Sequence, residues 1–188
     1  LLMGLLRRDE ATGSYYNSVA AWALEQPVQW YDKRRLVPFG EFFPVPQAVR
    51  EWLRLMNLPY SDFQPGRADP APLRAAGATF APTVCYEDAY GSEQLGLVRQ
   101  SSLLVNVTND AWFGDSTAPH QHLDISRMRT LESGRAMLRA TNDGVTALIG
   151  HDGALLGTLP QFQPGVLTGE VQPRTGLTPY VRFGNWPI

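Results

Sequence analysis

Thr83-Val84-Cys85-Tyr86-Glu87-Asp88 holds the only cysteine of a 188-residue chain, and the reading of the fold starts from it. Upstream, Gly77 to Val84 is small, apolar and partly β-branched, as a buried strand is; downstream, Tyr90 to Gln100 has helical composition. The stretch therefore predicts a strand, a tight turn carrying Cys85, and a helix. A side chain at such a turn is lifted off the sheet edge. The following backbone N–H groups sit at a helix start, where negative charge is favoured and where a thiolate, the reactive form of cysteine, is at home. A lone cysteine is also a common small core residue, so the assignment of chemistry to Cys85 depends on what surrounds it.

Working outward, the strands on either side alternate with helical segments. Before the elbow, Leu1 to Leu6 and Tyr15 to Leu24 predict a hairpin around the polar turn Arg7 to Ser14. A third strand is expected over Val28 to Val37, carrying Asp32-Lys33-Arg34-Arg35 and ended by Pro38. A proline-punctuated insertion covers 42–82. Within it Val49, Trp52, Leu53 and Met56 fall on one face of a short amphipathic helix, either packed on its own core or forming a lid or membrane-facing arm behind Phe42-Phe43.

After the elbow, Ser102 to Thr108 predicts a strand buried on both faces, followed by the loop Asn109 to Asp115. A long helix is expected from Pro119 to Ala140, with Arg127, Arg129, Arg135 and Arg139 solvated or ion-paired. Val145 to Gly150 and Ala154 to Leu159 flank an Asp-Gly turn, Val166 to Val171 predicts a last strand, and the tail from Pro173 reads as irregular. The pattern is α/β, a mixed sheet covered by helices, in one folding unit over 1–188. Leu1 begins inside a strand-like run and the chain stops at Trp186-Pro187-Ile188, which predicts a piece of something longer.

Composition removes several function classes. A net charge of −2 and the lack of a basic run argue against nucleic acid. Charged residues make up 18% of the chain against a usual share of about 25%, which leaves room for apolar and aromatic surface. No run reaches the roughly 18 apolar residues of a membrane-crossing helix. His120 and His122 are two apart and His151 lies elsewhere, so no zinc spacing is present and no metal or other cofactor is expected. Gly114-Asp115-Ser116 lacks the frame of a serine nucleophile.

Lys33, read alone, is a surface lysine. Joined to Glu41 and to Val-Cys-Tyr-Glu at 84–87, however, it resembles the nitrilase superfamily of carbon–nitrogen bond chemistry. Leu-Val-Pro-Phe-Gly-Glu (36–41), Asn-Asp-Ala-Trp-Phe-Gly (109–114), Thr-Gly-Leu-Thr-Pro-Tyr (175–180) and Gly-Asn-Trp-Pro (184–187) are similar to one branch of it, the apolipoprotein N-acyltransferases. The resemblance covers nearly the whole chain.

It implies an α-β-β-α sandwich whose first strand lies outside this chain, a bacterial inner-membrane setting with the catalytic part facing the periplasm, a phospholipid acyl donor and an apolipoprotein acceptor. Contact with the membrane would come through parts outside the chain and through 42–63, and the protein would be a monomer. Cys85 would be the nucleophile. Lys33 and the Tyr86 amide would meet the oxyanion, Tyr86 itself matching a functional position. Glu41 would orient Lys33, Glu87 would steady the elbow, and Trp112 and Phe113 would line an acyl chain or pack in the core. The general-base glutamate is expected N-terminal to this chain, since neither Glu10 nor Glu25 matches its setting. The rival readings are a soluble nitrilase-like amidase and a non-catalytic interaction domain on the same scaffold.

Overall fold

A computed structural model describes residues 1–24, 26–42, 44–46, 49, 52 and 63–186. Strands β1 (Leu2–Arg8), β2 (Tyr15–Ala21) and β3 (Gln29–Asp32) form an antiparallel sheet in chain order. The hairpin is as expected from the sequence. The third strand is shorter than the predicted 28–37: the Lys33 N–H still bonds the Asn17 carbonyl across the ladder at 2.7 Å, but the next two N–H groups, of Arg34 and Arg35, turn to the Glu87 carboxylate.

A second, mixed sheet runs in the order β4 (Leu73–Ala75), β5 (Ala78–Val84), β6 (Leu103–Asn109), β7 (Met137–Asn142), β8 (Ala147–Ile149), β9 (Leu155–Thr158). Its centre, β5-β6-β7, is parallel and its flanks are antiparallel. The crossovers are α1 (Gly91–Val98) and α2 (Ala118–Ser133). Right-handed crossovers running in one direction place their helices on one face, and there Gly91, Leu95, Arg129 and Ser133 enclose a small cavity over Ala81, Leu104 and Met137 with Tyr180 of α3 (Pro179–Phe183). The opposite face meets the first sheet. The contact is close enough that a Cβ on Gly4 of β1 would lie 2.9 Å from Val107 Cγ2 of β6. Val19 and Tyr31 of the first sheet join Phe80, Val84 and Val105 of the second in one core.

Three expectations need correction. The helix predicted over 119–140 stops at Ser133, because Gly134 adopts the left-handed conformation (φ 64°) and its N–H returns to the Thr130 carbonyl; Leu138 and Arg139 belong to β7 instead. The segment 166–171 is not a strand, and Val166 is exposed. The tail is not wholly irregular, since Thr178 caps α3 by accepting the Val181 N–H at 3.1 Å. Of the amphipathic helix expected within 42–82, only Val49 and Trp52 are described, both exposed; Phe43, Leu53 and Met56 lie outside the described residues. Among the described residues no helix is long and apolar enough to cross a membrane.

The helical layer is tied to the sheet by buried charge. His122 and Ser126, one turn apart on α2, reach down between Asp88 and Asp110. His122 Nδ1 lies 3.1 Å from Asp110 Oδ1 and Nε2 lies 3.0 Å from Asp88 Oδ1, while Ser126 Oγ donates to Asp88 Oδ2 at 2.5 Å. Arg139 of β7 completes the cluster, donating to Asp110 Oδ2 at 3.0 Å and to Ser126 Oγ at 2.9 Å. Two carboxylates face one guanidinium and an imidazole with a carboxylate on each nitrogen, so the charges balance when the ring is doubly protonated. Desolvation works against that proton, but hydrogen bonds to Asp110 and Asp88 outweigh it and raise His122 to about 9.

A basic group raised on folding contributes stability that is complete below its unfolded value and lost as pH climbs through the folded one. The His122 contribution should therefore be level below about 6.5, the ordinary histidine value, and fall as pH approaches 9. Urea denaturation across pH 6 to 9.5 measures this. His122→Gln should lower stability at pH 6 and flatten the decline, whereas a variant that retains the full slope removes His122 as its source.

Candidate active site

The parallel pairing of β5 with β6 ends at Val84 opposite Val107, and the chain enters a 3-10 helix over Cys85–Ala89 before α1 begins at Gly91. The predicted strand–turn–helix is present with this extra turn inserted. The backbone N–H groups nearest the thiol thus belong to the 3-10 helix, whose first turn offers them no internal acceptor. Cys85, half-buried, has φ 55°, a left-handed conformation costing on the order of 1–3 kcal/mol in a residue with a Cβ. Such a conformation persists only where neighbours hold it. Here the Glu87 carboxylate accepts the Val84 N–H at 2.8 Å, and Asn106 Nδ2 donates to the Cys85 carbonyl at 3.0 Å.

Glu87 does more than brace its own turn. Its carboxylate also accepts the Tyr31 hydroxyl (3.0 Å) and the N–H groups of Arg34 (2.7 Å) and Arg35 (3.1 Å), all from the end of β3 and the bend after it. Burial pushes the Glu87 carboxyl above its ordinary pKa, with these hydrogen bonds pulling the other way. The bend after β3 and the elbow after β5 are consequently fastened to one side chain.

That fastening places Lys33. Its side chain is 1% exposed, contrary to the surface lysine that the residue alone suggests. Nζ donates to Glu41 Oε1 at 2.8 Å and to Oε2 at 2.7 Å, and lies 5.5 Å from the centre of the Tyr86 ring, on the residue next to Cys85. Glu41 is fixed in turn by Asn17 Nδ2 (2.8 Å) and the Val37 N–H (2.7 Å), in a turn closed by the Glu41 N–H on the Val37 carbonyl. Tyr86 stacks edge-on against Tyr90, and burial with the Tyr90 contact pushes its phenol up to about 12, so it stays protonated at neutral pH.

Trp112 and Phe113 occupy a short 3-10 helix directly after β6, 86% and 43% exposed. Since β5 and β6 are parallel, they stand on the same sheet edge as Cys85, where ligands bind in open parallel sheets. They are not core residues. Glu10 is in the β1–β2 hairpin turn, and Glu25 lies outside the described residues.

Sequence reasoning missed the layer beneath the elbow, made of Asn106, Asp88, Asp110, His122 and Arg139. Asn106 carried a usable signal, as a carboxamide inside the apolar run Leu103 to Val107, where a buried polar group must be paired.

The carbon-nitrogen hydrolase family profile matches residues 1–180. The chain is 47% identical, over its whole length, to the apolipoprotein N-acyltransferases of Chromobacterium violaceum and Azotobacter vinelandii, and spans 36% and 37% of their lengths. Among solved structures it is similar to a carbon-nitrogen hydrolase from Helicobacter pylori (TM-score 0.63, 15% identity, 85% of this chain and 57% of that one). It is likewise similar to an amidase from a Nesterenkonia species (TM-score 0.63, 21% identity, 88% and 58%). With the family profile matched from Leu1 through the start of the last helix, and the layered fold shared with those two structures, the chain belongs to the carbon–nitrogen hydrolase family, the nitrilase superfamily.

Proposed function

We propose that this chain is the catalytic portion of an apolipoprotein N-acyltransferase working through a cysteine thioester. The observation that carries the reading is the 47% identity, over the full chain, to enzymes of that name; the assembly of Lys33, Glu41 and Tyr86 around the Cys85 elbow supports the covalent route.

In the first half-reaction the Cys85 thiolate attacks the ester carbonyl of a phospholipid. A tetrahedral oxyanion forms, met by the Lys33 ammonium and the Tyr86 N–H, and collapses with loss of the lysophospholipid alkoxide, which takes a proton. Cys85 is left as a thioester. In the second, the free α-amine of a diacylglyceryl-cysteine attacks that thioester. The thiolate leaves, the amine gives up a proton, and the amide is made, so the two substrates use one site in turn. Glu41 holds Lys33 in place, and Glu87 holds the elbow. The proton is handled by a glutamate that this reading places N-terminal to the chain. Trp112 and Phe113, exposed on the edge that carries Cys85, form an apolar wall for the acyl chain. Both substrates are anchored in a bilayer, so on this reading the site works at a membrane surface, the periplasmic face of the inner membrane, with a membrane-contacting role for 42–63.

Mass spectrometry of the full-length protein after incubation with phosphatidylethanolamine should find an acyl group on Cys85, removed by adding a diacylglyceryl peptide and never formed by Cys85→Ala. An acyl adduct formed only from small amides would favour the amidase reading instead. Lys33→Met should slow adduct formation by about 10²–10³-fold, the usual loss for one oxyanion donor; stopped-time acylation assays read this, and a wild-type rate in that variant would remove Lys33 from the oxyanion site.

A further inference from the structure

We infer that Asn106 is a positioning residue, which by holding the Cys85 carbonyl aims the Tyr86 N–H at the oxyanion, with Arg139 keeping the Asn106 carboxamide in the orientation that does so. The inference rests on the reading of Cys85 as an acyl-carrying nucleophile.

The Cys85 C=O and the Tyr86 N–H belong to one planar trans peptide unit and point in opposite directions. Whatever fixes the oxygen also fixes the direction of the N–H. At Cys85 this matters more than elsewhere, because the left-handed backbone (φ 55°) is a conformation the residue would leave if released. Asn106 is fully buried at the centre of β6, and its Nδ2 donates both to the Cys85 carbonyl at 3.0 Å and to Thr83 Oγ1 at 2.9 Å.

A carboxamide can turn end for end, and the reversed form would set an oxygen against the Cys85 carbonyl oxygen. Arg139 forbids it. Its Nη1 donates to Asn106 Oδ1 at 2.7 Å, and a guanidinium has donors only, so the oxygen end must face Arg139 and the nitrogen end must face Cys85. The guanidinium is itself oriented by Asp110 Oδ2 at 3.0 Å and the Val145 carbonyl at 3.3 Å. The Asn106 carboxamide and the Arg139 guanidinium are thus held at both ends by described residues, and the peptide unit they fix carries its Tyr86 N–H on the side opposite Asn106.

The test compares two reactions of the same sulfur in the full-length protein. Acylation by phosphatidylethanolamine passes through an oxyanion; alkylation by iodoacetamide, a displacement at saturated carbon, does not. Asn106→Ala removes the donor. Asn106→Asp keeps the shape and the Arg139 contact while losing the donor, and decides the matter if the alanine variant does not fold. In each folded variant the ratio of acylation rate to alkylation rate at Cys85 should fall about 10²-fold, as for an oxyanion donor lost. A ratio equal to wild type, even with both rates reduced together, overturns the inference and leaves Asn106 a fold residue. A wild-type protein that is alkylated at Cys85 but never acylated overturns the functional reading, and the inference with it.

Discussion

The carboxylate of Glu87 is the interaction on which the arrangement of this molecule depends. Two sheets that pack through apolar side chains have no intrinsic reason to set the end of one strand beside the end of another, because hydrophobic contact is non-directional. Four donors converging on one buried carboxylate supply that direction: one from the Cys85 elbow, one from Tyr31 within β3 and two from the bend that follows Lys33. Each backbone N–H at such a bend needs an acceptor in any case. Drawing them to a single side chain turns that need into a register between the sheets. Lys33 and Tyr86 meet because their neighbours share an anchor.

Directly behind the elbow lies a second polar layer of a different kind. Glu87 gathers backbone donors, whereas the Asp88, Asp110, His122 and Arg139 cluster balances charge against charge between α2 and the sheet. Burial pulls the Arg139 guanidinium below its ordinary pKa, against the pull of Asp88, Asp110 and Cys85. Burial also pushes Asp110 up, yet His122 and Arg139 hold its carboxyl below the usual range. Paired, buried ions of this sort seldom add much net stability, and their removal one at a time is costly. Their contribution is geometric: α2 has one seat on the sheet, and Asn106 has one orientation under Cys85.

Much of this was legible in the sequence where local rules govern. The hairpin, the run into Cys85, the strand through Asn106 and the Asp-Gly hairpin were readable from alternation, apolar runs and turn residues. The grouping of Lys33 and Glu41 with Tyr86, beside Cys85 in the chain, was readable only by resemblance, since nothing in the spacing of 33 and 86 says that they meet. Periodicity failed at Gly134. Leu138 and Arg139 fit a helical pattern well enough to extend α2, and only the left-handed glycine divides helix from strand. It failed again at 166–171, whose apolar residues have no partner strand among the described residues. The charged layer was invisible for a further reason: Asp88, Asp110, His122 and Arg139 are far apart in sequence and each looks like a surface residue by type.

The division between the two sheets explains why the site is made from both. The parallel strands β5 and β6 end together, so the turns that follow them bring Cys85 and the exposed Trp112 and Phe113 to one edge, whereas Lys33 is not carried by that sheet. The cation comes from the antiparallel sheet facing it, off the end of β3. The close approach of Gly4 to Val107 sets the spacing of the two layers at which Lys33 comes within 5.5 Å of the Tyr86 ring. The meeting of Lys33 and Tyr86 at this edge therefore depends on packing between the sheets as directly as on the residues at the mouth, and a larger side chain at position 4, pressed against Val107, would act on it through the distance between the layers.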